Sequence, residues 1–420
     1  MNSDLFISDI YTKIWLKHNN NSKPATEFDF VRNIKFVKNR NLPMVYTNVG
    51  GHLTKGVLYT LHNLQSKQCK KKVCKVIDVP SYFKLDPDHS DQLQSKSNIK
   101  VKKLKQHKGY LTKLEGNPSL DAFLKSRFNA KTRGKFRSYK KRLEYSFNIT
   151  YEVYFGNISK EEYQFIYDCF YRLLKQRYQN KKEDVAILRP DKWKYFLELG
   201  FEMILNKEAF LTVIYNDGTP ISISFNYCNK EFIHGYLTVF DTNYSKFSLG
   251  HISFMKIVEW GIKNKIRFYD FSKVEFEYKK RWCEVVYDFE MHIFYDSDSS
   301  ISKLIKTGVA AKYGVLKYLR DKKINKKWHK LLFYLKNKRS QTLSDNYQIE
   351  DAFEDYLGSE KYIEIKFSDI ECNVIKKITI DFLYKNKIRF NEVKIYLYRD
   401  RKGTYIIEGE GHKQKVILTY

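Results

Sequence analysis

The chain has little of what would make it a disulfide scaffold, a metal module or a membrane-spanning protein. Its 420 residues hold only six cysteines, none in a Cys-x-x-Cys pair. The closest two, Cys69 and Cys74, have no histidine nearby at metal-finger spacing, so reduced thiols are expected and no metal site is read. No apolar run reaches the roughly 18 residues of a membrane span, and Met1 to Asn20 lacks a signal-peptide core. The expectation is a cytoplasmic soluble protein that touches the inner membrane at most peripherally. Acidic residues are outnumbered. Against 76 Lys and Arg stand 48 Asp and Glu, a formal net charge of +28. That surplus suits nucleic acid, acidic membrane surfaces, phosphorylated ligands or nucleotide cofactors, and is equally what a lysine-rich composition produces.

One stretch organises the rest, from Glu231 to Trp282. Glu231 to Phe240 is rich in β-formers and alternates, which predicts a strand. Asp241 to Phe247 reads as a polar loop, and Ser248 as the N-cap of a helix with Gly250 in its first turn. Phe254, Ile257, Val258, Gly261 and Ile262 follow at helical spacing, so one face is buried. Ile266 to Phe271 is a second short strand. Strand, helix, strand is a parallel βαβ unit. Unpaired N–H groups and the helix dipole make the start of such a helix a seat for phosphate.

The segments on either side fill in an order of elements. A short helix is predicted over Ser8 to Lys17, a tight turn at Gly50-Gly51, and strands at Val57 to Leu64 and Val73 to Val79. Between Lys125 and Arg142 lie nine Lys or Arg and no acid, mostly at helical spacing. This is either a solvated helical face or an electropositive rim near a phosphate-bearing ligand. Asn148 to Phe155 alternates like a strand. Ser159 to Glu162 is a capping box, and Pro190 opens a second helix. Phe210 to Tyr215, Ile221 to Tyr227 and the Glu231 strand form an antiparallel meander, joined first by Asn216-Asp217-Gly218-Thr219-Pro220. A short helix at Glu275 to Cys283 and a long strand at Val285 to Tyr295 complete the unit. Ile301 to Lys338 is basic and predicted helical, suited to packing back or to lying on an acidic surface. Strands at Tyr362 to Phe367, Val393 to Tyr398 and Tyr405 to Glu408 suggest a small C-terminal α/β unit. The boundaries expected are 1–118, 119–295, 296–340 and 341–420.

The order of strand, two helices, three meander strands, helix, strand, helix, strand resembles the GNAT superfamily of N-acetyltransferases. The residues also resemble its CelD/BcsL-type branch, itself similar to Fem-type peptidyltransferases. Four pieces carry this: Ser126 to Leu143; Gly218-Thr219-Pro220-Ile221; Tyr244-Ser245-Lys246-Phe247-Ser248-Leu249-Gly250; and Phe268-Tyr269-Asp270-Phe271-Ser272 followed by Tyr278-Lys279. They span roughly 40% of the chain. The resemblance implies an α/β fold with a GNAT-like mixed sheet flanked by helices, in a double, Fem-like arrangement with the C-terminal unit appended. It implies acetyl-coenzyme A, or another acyl-coenzyme A, with its pyrophosphate on the backbone of Phe247, Ser248, Leu249, Gly250 and His251. The Phe-Ser-Leu-Gly loop departs from the Gly-rich, basic loop of better-known acyltransferases.

Direct acyl transfer to an amine needs a base, an oxyanion donor and an acid for the thiolate. A backbone N–H near Val239 or Phe240 is the expected oxyanion donor. His234 reads either as the base or as a half-buried packing residue; Tyr236 shares its face, and Asp270 and Glu275 are other candidates. By the resemblance Tyr278 is the acid, and Lys279 could meet a phosphate or carboxylate of the substrate. The branch implies an amine of a sugar or an envelope or exopolysaccharide precursor, small or lipid-linked. Two other classes stay open: a Fem-like transferase using aminoacyl-tRNA, favoured by the charge but without a long helical-hairpin insertion, and a non-catalytic binding protein on this fold.

Overall fold

The computed structural model describes residues 5–82, 97–181, 183–273, 275–322, 324, 347–351, 361–399 and 403–418. The strands are β1 (Val31–Arg32), β2 (Phe36–Lys38), β3 (Val45–Asn48), β4 (Thr60–Leu61), β5 (Val73–Pro80), β6 (Ile99–Lys113), β7 (Ile149–Tyr154), β8 (Ala209–Asn216), β9 (Thr219–Cys228), β10 (Phe232–Phe240), β11 (Phe268–Lys273) and β12 (Val285–Asp296). In the C-terminal unit they are β13 (Tyr347–Asp351), β14 (Tyr362–Ile365), β15 (Lys394–Tyr398), β16 (Thr404–Gly409) and β17 (His412–Leu418). The helices are α1 (Asp9–Asn19), α2 (Leu120–Arg127), α3 (Ala130–Ser146), α4 (Lys160–Lys181), α5 (Pro190–Leu205), α6 (Leu249–Lys263), α7 (Glu277–Trp282), α8 (Ser300–Asp321) and α9 (Asn373–Asn386).

Local chemistry explains the boundaries. Ser8, Ser119 and Asn129 cap α1, α2 and α3 by accepting from the N–H groups of Tyr11, Ala122 and Thr132. Asn129 thereby splits the basic block into two helices. Ser159 accepts from Glu162 N–H at the start of α4, and proline occupies the first turn of α5. Between β8 and β9, Asp217 and Gly218 both have positive φ, 46° and 72°. That is the mirror-image turn whose twist matches a tight hairpin.

Ten strands form one mixed sheet in the order β2-β3-β5-β12-β6-β11-β10-β9-β8-β7. The expected meander β8-β9-β10 is antiparallel, and β10 runs parallel to β11. A second parallel pair, β3 with β5, lies in the same sheet. One face of the sheet packs α4 and α5, with Ile166, Phe170, Phe196 and Leu199 on Val213, Ile223 and Val239. The other packs α6, with Ile252 and Val258 against Phe210, Ile214 and Ile233. The α6 cluster continues into the C-terminal unit, where the Phe247 and Tyr384 rings meet edge-on at 5.0 Å.

The structure corrects three expectations. Only Thr60 and Leu61 of the 57–64 stretch form a strand, in a two-residue ribbon with β1. Residues 241–247 are not a plain loop: Asp241 caps a 3-10 helix over Thr242–Phe247. Ser248, at the N-cap of α6, is left-handed (φ 55°, ψ 46°) and makes no side-chain cap bond, because the 3-10 helix runs directly into α6 there. The predicted 301–338 helix is described as α8; residues 323 and 325–338 lie outside the described residues. Among the described residues no helix is long and apolar enough to cross a membrane.

Candidate active site at the opening between two parallel strands

β10 and β11 pair over three residues only: Phe232 with Phe268, Ile233 with Tyr269, His234 with Asp270. β10 then continues six residues to Phe240, bonded to β9 alone, past a bulge between Gly235 and Leu237. An added residue bends and twists a strand, and this one turns β10 away from β11. His234 and Asp270 therefore flank the point where the sheet opens.

The edge of β10 facing the opening is set by alternation. Val239 pairs with Ile223, and the Asp241 N–H bonds the Ile221 carbonyl. In an antiparallel ladder this turns Val239 toward β9 and Thr238 and Phe240 toward the opening. Arg177, from the end of α4, reaches in: its guanidinium donates to the Thr238 carbonyl at 2.9 Å and lies over the Phe240 ring at 5.7 Å. Tyr278, half exposed on α7, has its phenol pKa raised by burial, with Arg177 partly countering.

On the α4–α5 face lies a buried charged network. His234 Nδ1 stands 3.6 Å from an Asp270 carboxylate oxygen, beyond hydrogen-bond distance, and has no hydrogen-bond partner among the described residues. Asp270 is fully buried. It accepts from the Tyr287 hydroxyl at 2.6 Å and from the Ser272 N–H at 2.7 Å. Tyr287 belongs to β12, which β6 separates from β11, and its ring crosses β6 at Gly109. A Cβ on Gly109 would stand 2.2 Å from that ring. The missing side chain is thus what lets Tyr287 reach Asp270.

Residues from the first third of the chain complete this network. Asp78, buried on β5 at φ 67°, pairs with Lys273 on β11 and accepts from the Thr54 hydroxyl at 3.3 Å. Lys273 also donates to the His52 carbonyl at 3.1 Å; burial lowers its pKa and Asp78 partly restores it. Lys55 lies over the Tyr236 ring at 4.8 Å. Burial, aided by Lys273 and Lys279, lowers its pKa to about 7. Burial also lifts Tyr236 to about 12. Lys279 is buried, donates to the carbonyls of Phe271 and Lys273 at 2.8 and 2.6 Å, and is held to about 8 by desolvation. It fastens α7 to the end of β11, so its charge is spent on backbone rather than presented to solvent.

On the α6 face, the side chains of Phe247 and Leu249 are core residues, which leaves their backbone. Gly250 meets Phe240: a Cβ there would stand 3.2 Å from the ring. His251 accepts from Trp282 Nε1 at 3.3 Å; burial and then Arg281 lower its pKa. Ser248 and His251 open onto a cavity of about 500 Å³ whose walls include Arg127, Lys135, Arg281 and Trp282. Arg127 is ion-paired with Glu284 through its Nη2, and its buried Nε has no hydrogen-bond partner among the described residues. Lys135 and Arg281 on the cavity wall, beside a helix start, fit a phosphate group.

The fold thus brings His234, Tyr236 and Asp270 together, with Lys279 beside them. It sets Phe240 and Tyr278 around Arg177, and groups Ser248, Gly250 and His251 at the start of α6. Glu275 is not among them: it is exposed and pairs with Lys280 at 2.5 Å. The sequence reading did not single out Lys55, Asp78, Arg177, Lys273 or Tyr287. Lys273 directly follows the 268–272 piece, and Asp78 and Tyr287 lie inside predicted strands, but nothing in those local patterns marked their side chains.

Residues 130–280, just over a third of the chain, match the model of the Acetyltransferase (GNAT) domain. No curated protein matches the chain. Solved structures similar to it include FemX, at 12% identity, 69% coverage of this chain, 92% of that one, and a TM-score of 0.48. A conserved protein of unknown function from Bacteroides thetaiotaomicron gives 11%, 70%, 91% and 0.45. L-PGS from Bacillus licheniformis gives 11%, 68%, 85% and 0.40.

Proposed function

We propose that the chain is an acyl-coenzyme A-dependent N-acyltransferase that transfers its acyl group directly to an amine. The observation that carries this is the end of the β10–β11 pairing at His234 and Asp270. Both the buried pair and the free edge of β10 adjoin the opening there. The GNAT domain match over residues 130–280 supports the same reading. Lys135, Arg281 and the backbone from Ser248 to Gly250 would hold the phosphates. Acyl-coenzyme A supplies the activated thioester.

His234 takes the proton of the attacking amine, and Asp270 stabilises the imidazolium that results. The Tyr287 hydroxyl and the Ser272 N–H keep that carboxylate aimed. The gap of 3.6 Å closes when the site fills, as catalytic contacts commonly do. The Phe240 N–H, on the open edge, stabilises charge on the carbonyl oxygen. Tyr278, protonated at neutral pH like any tyrosine, gives its proton to the leaving sulfur. The acceptor, by the CelD/BcsL resemblance, is an amine of a sugar or envelope precursor.

The competing reading, transfer from aminoacyl-tRNA, draws on the exposed Lys125, Lys131, Lys135, Arg137 and Lys141 of α2 and α3. Thermal-shift titration with acetyl-coenzyme A and with bulk tRNA separates the two. Stabilisation by the cofactor alone supports acyl transfer; stabilisation by tRNA alone favours aminoacyl transfer. Tyr278→Phe is expected to keep cofactor affinity and lower kcat by about 10²-fold or more in single-turnover assays. An unchanged kcat would remove Tyr278 from the acid role.

A further inference from the structure

Helix α8 carries two apolar stripes, and among the described residues one is packed on the sheet. The inner stripe, Ile305, Val309 and Tyr313, packs against Ile77, Met291 and Ile293 of β5 and β12. Both ends are fastened on that side: the Ser302 hydroxyl donates to the Lys72 carbonyl at 2.8 Å, and Arg320 donates to the Gln106 carbonyl at 2.6 Å. The outer stripe is Ile301, Leu304, Gly308, Ala311, Val315 and Tyr318, spaced three and four residues apart along more than four turns. All six are exposed, Leu304 at 73%, Tyr318 at 61% and Val315 at 59%. The apolar surface continues through Leu316 to Leu42 and Met44, which line one groove with Lys312.

We propose that this face docks on an anionic lipid bilayer. Charge complementarity selects that occupant. α8 holds four lysines, one arginine and one acid, and the acid, Asp321, is paired with Lys317 at 2.7 Å. Aliphatic side chains enter the acyl region while lysines on long stems reach the phosphates above them. A nucleic acid offers nothing for Leu304 and Val315 to enter. The helix lies flat on the sheet and its outer stripe follows its full length, which is the geometry of a helix lying in the interfacial plane rather than across it. The docking is independent of the acyl-transfer reading, since none of these residues touches the opening between β10 and β11.

The test is co-sedimentation of the full chain with phosphatidylcholine vesicles, with and without phosphatidylglycerol. The wild type is expected to bind vesicles containing phosphatidylglycerol and to weaken as salt rises. Leu304→Glu with Val315→Glu is expected to reduce binding by at least about tenfold without lowering the melting temperature, both sites being exposed. Lys303→Glu with Lys312→Glu is expected to abolish the preference for anionic lipid. Failure of the wild type to sediment, or equal binding by the Leu304/Val315 variant, overturns the proposal. So does light scattering that shows a wild-type dimer dispersed by that variant, because a second copy would then cover the stripe.

Discussion

The ten-stranded sheet contains the same junction twice, and only one copy is open. β3 pairs parallel with β5 over three residues, Val45 with Val73, Tyr46 with Cys74 and Thr47 with Lys75. Beyond them the buried Asn48 closes the seam: its side-chain carbonyl accepts from the Ile77 N–H at 2.9 Å. The connection between those strands holds a 3-10 turn at Gly51–Leu53 and β4, with no α-helix. β10 and β11 also pair over three residues, but their seam ends at His234 and Asp270, 3.6 Å apart and unbonded, and their connection is α6. A parallel pair therefore does not make a site by itself. What distinguishes the second junction is a bulge that parts the strands and a helix whose start faces the gap. The closed junction still serves the open one, since Lys55 and Asp78 come from its surroundings.

If the open junction is catalytic and the closed one is scaffold, variants at each should separate rate from stability. The largest effect is expected from His234→Ala: kcat falls by about 10²–10⁴-fold. A loss confined to melting temperature would make His234 a packing residue and break the comparison. Asn48→Ala, at the closed seam, should cost about 1–3 kcal/mol in urea unfolding because the Ile77 N–H is left buried and unpaired. Its kcat per folded molecule should be unchanged, and a rate loss would tie the closed seam to the chemistry. Gly109→Ala should cost about 1–3 kcal/mol and lower kcat as well, since the new Cβ pushes Tyr287 off Asp270.

The smallest effect is electrostatic. The pKa of Lys55, about 7 in the fold, lies below its unfolded value near 10.5. The charged amine is thus disfavoured by folding at and below neutrality, and that penalty fades as pH rises toward 10.5. Lys55→Met should raise the melting temperature at pH 6 and lose that advantage by pH 10. A gain that is the same at both pH values would show that Lys55 is not desolvated.

The sequence made the stretch from α4 to β12 legible because its signals are local: a capping box, a proline, the Asp-Gly turn and strict alternation. The parallel pairing of β10 with β11 was legible too, as a consequence of the βαβ unit. β6 was not, since its six lysines among fifteen residues mask an alternation that only its two neighbouring strands make sense of. The charged network was half legible. His234, Tyr236 and Asp270 lie on adjacent elements of one motif, whereas Asp78, Lys55 and Tyr287 arrive from strands and loops far away in sequence. Gly109 gave no signal at all, because its role is the space it leaves for a ring two strands from Asp270.

The central claim is that the start of α6 holds the phosphates of an acyl-coenzyme A. Calorimetry of acetyl-coenzyme A binding to the wild type and to Gly250→Val tests it most directly. The valine drives into Phe240 and blocks backbone approach, while Gly250 lies at the edge of the core. The account predicts measurable binding to the wild type, at least about tenfold weaker binding to the variant, and melting temperatures within a few degrees of each other. Equal affinity for both proteins, or no binding to the wild type at millimolar cofactor, would contradict it.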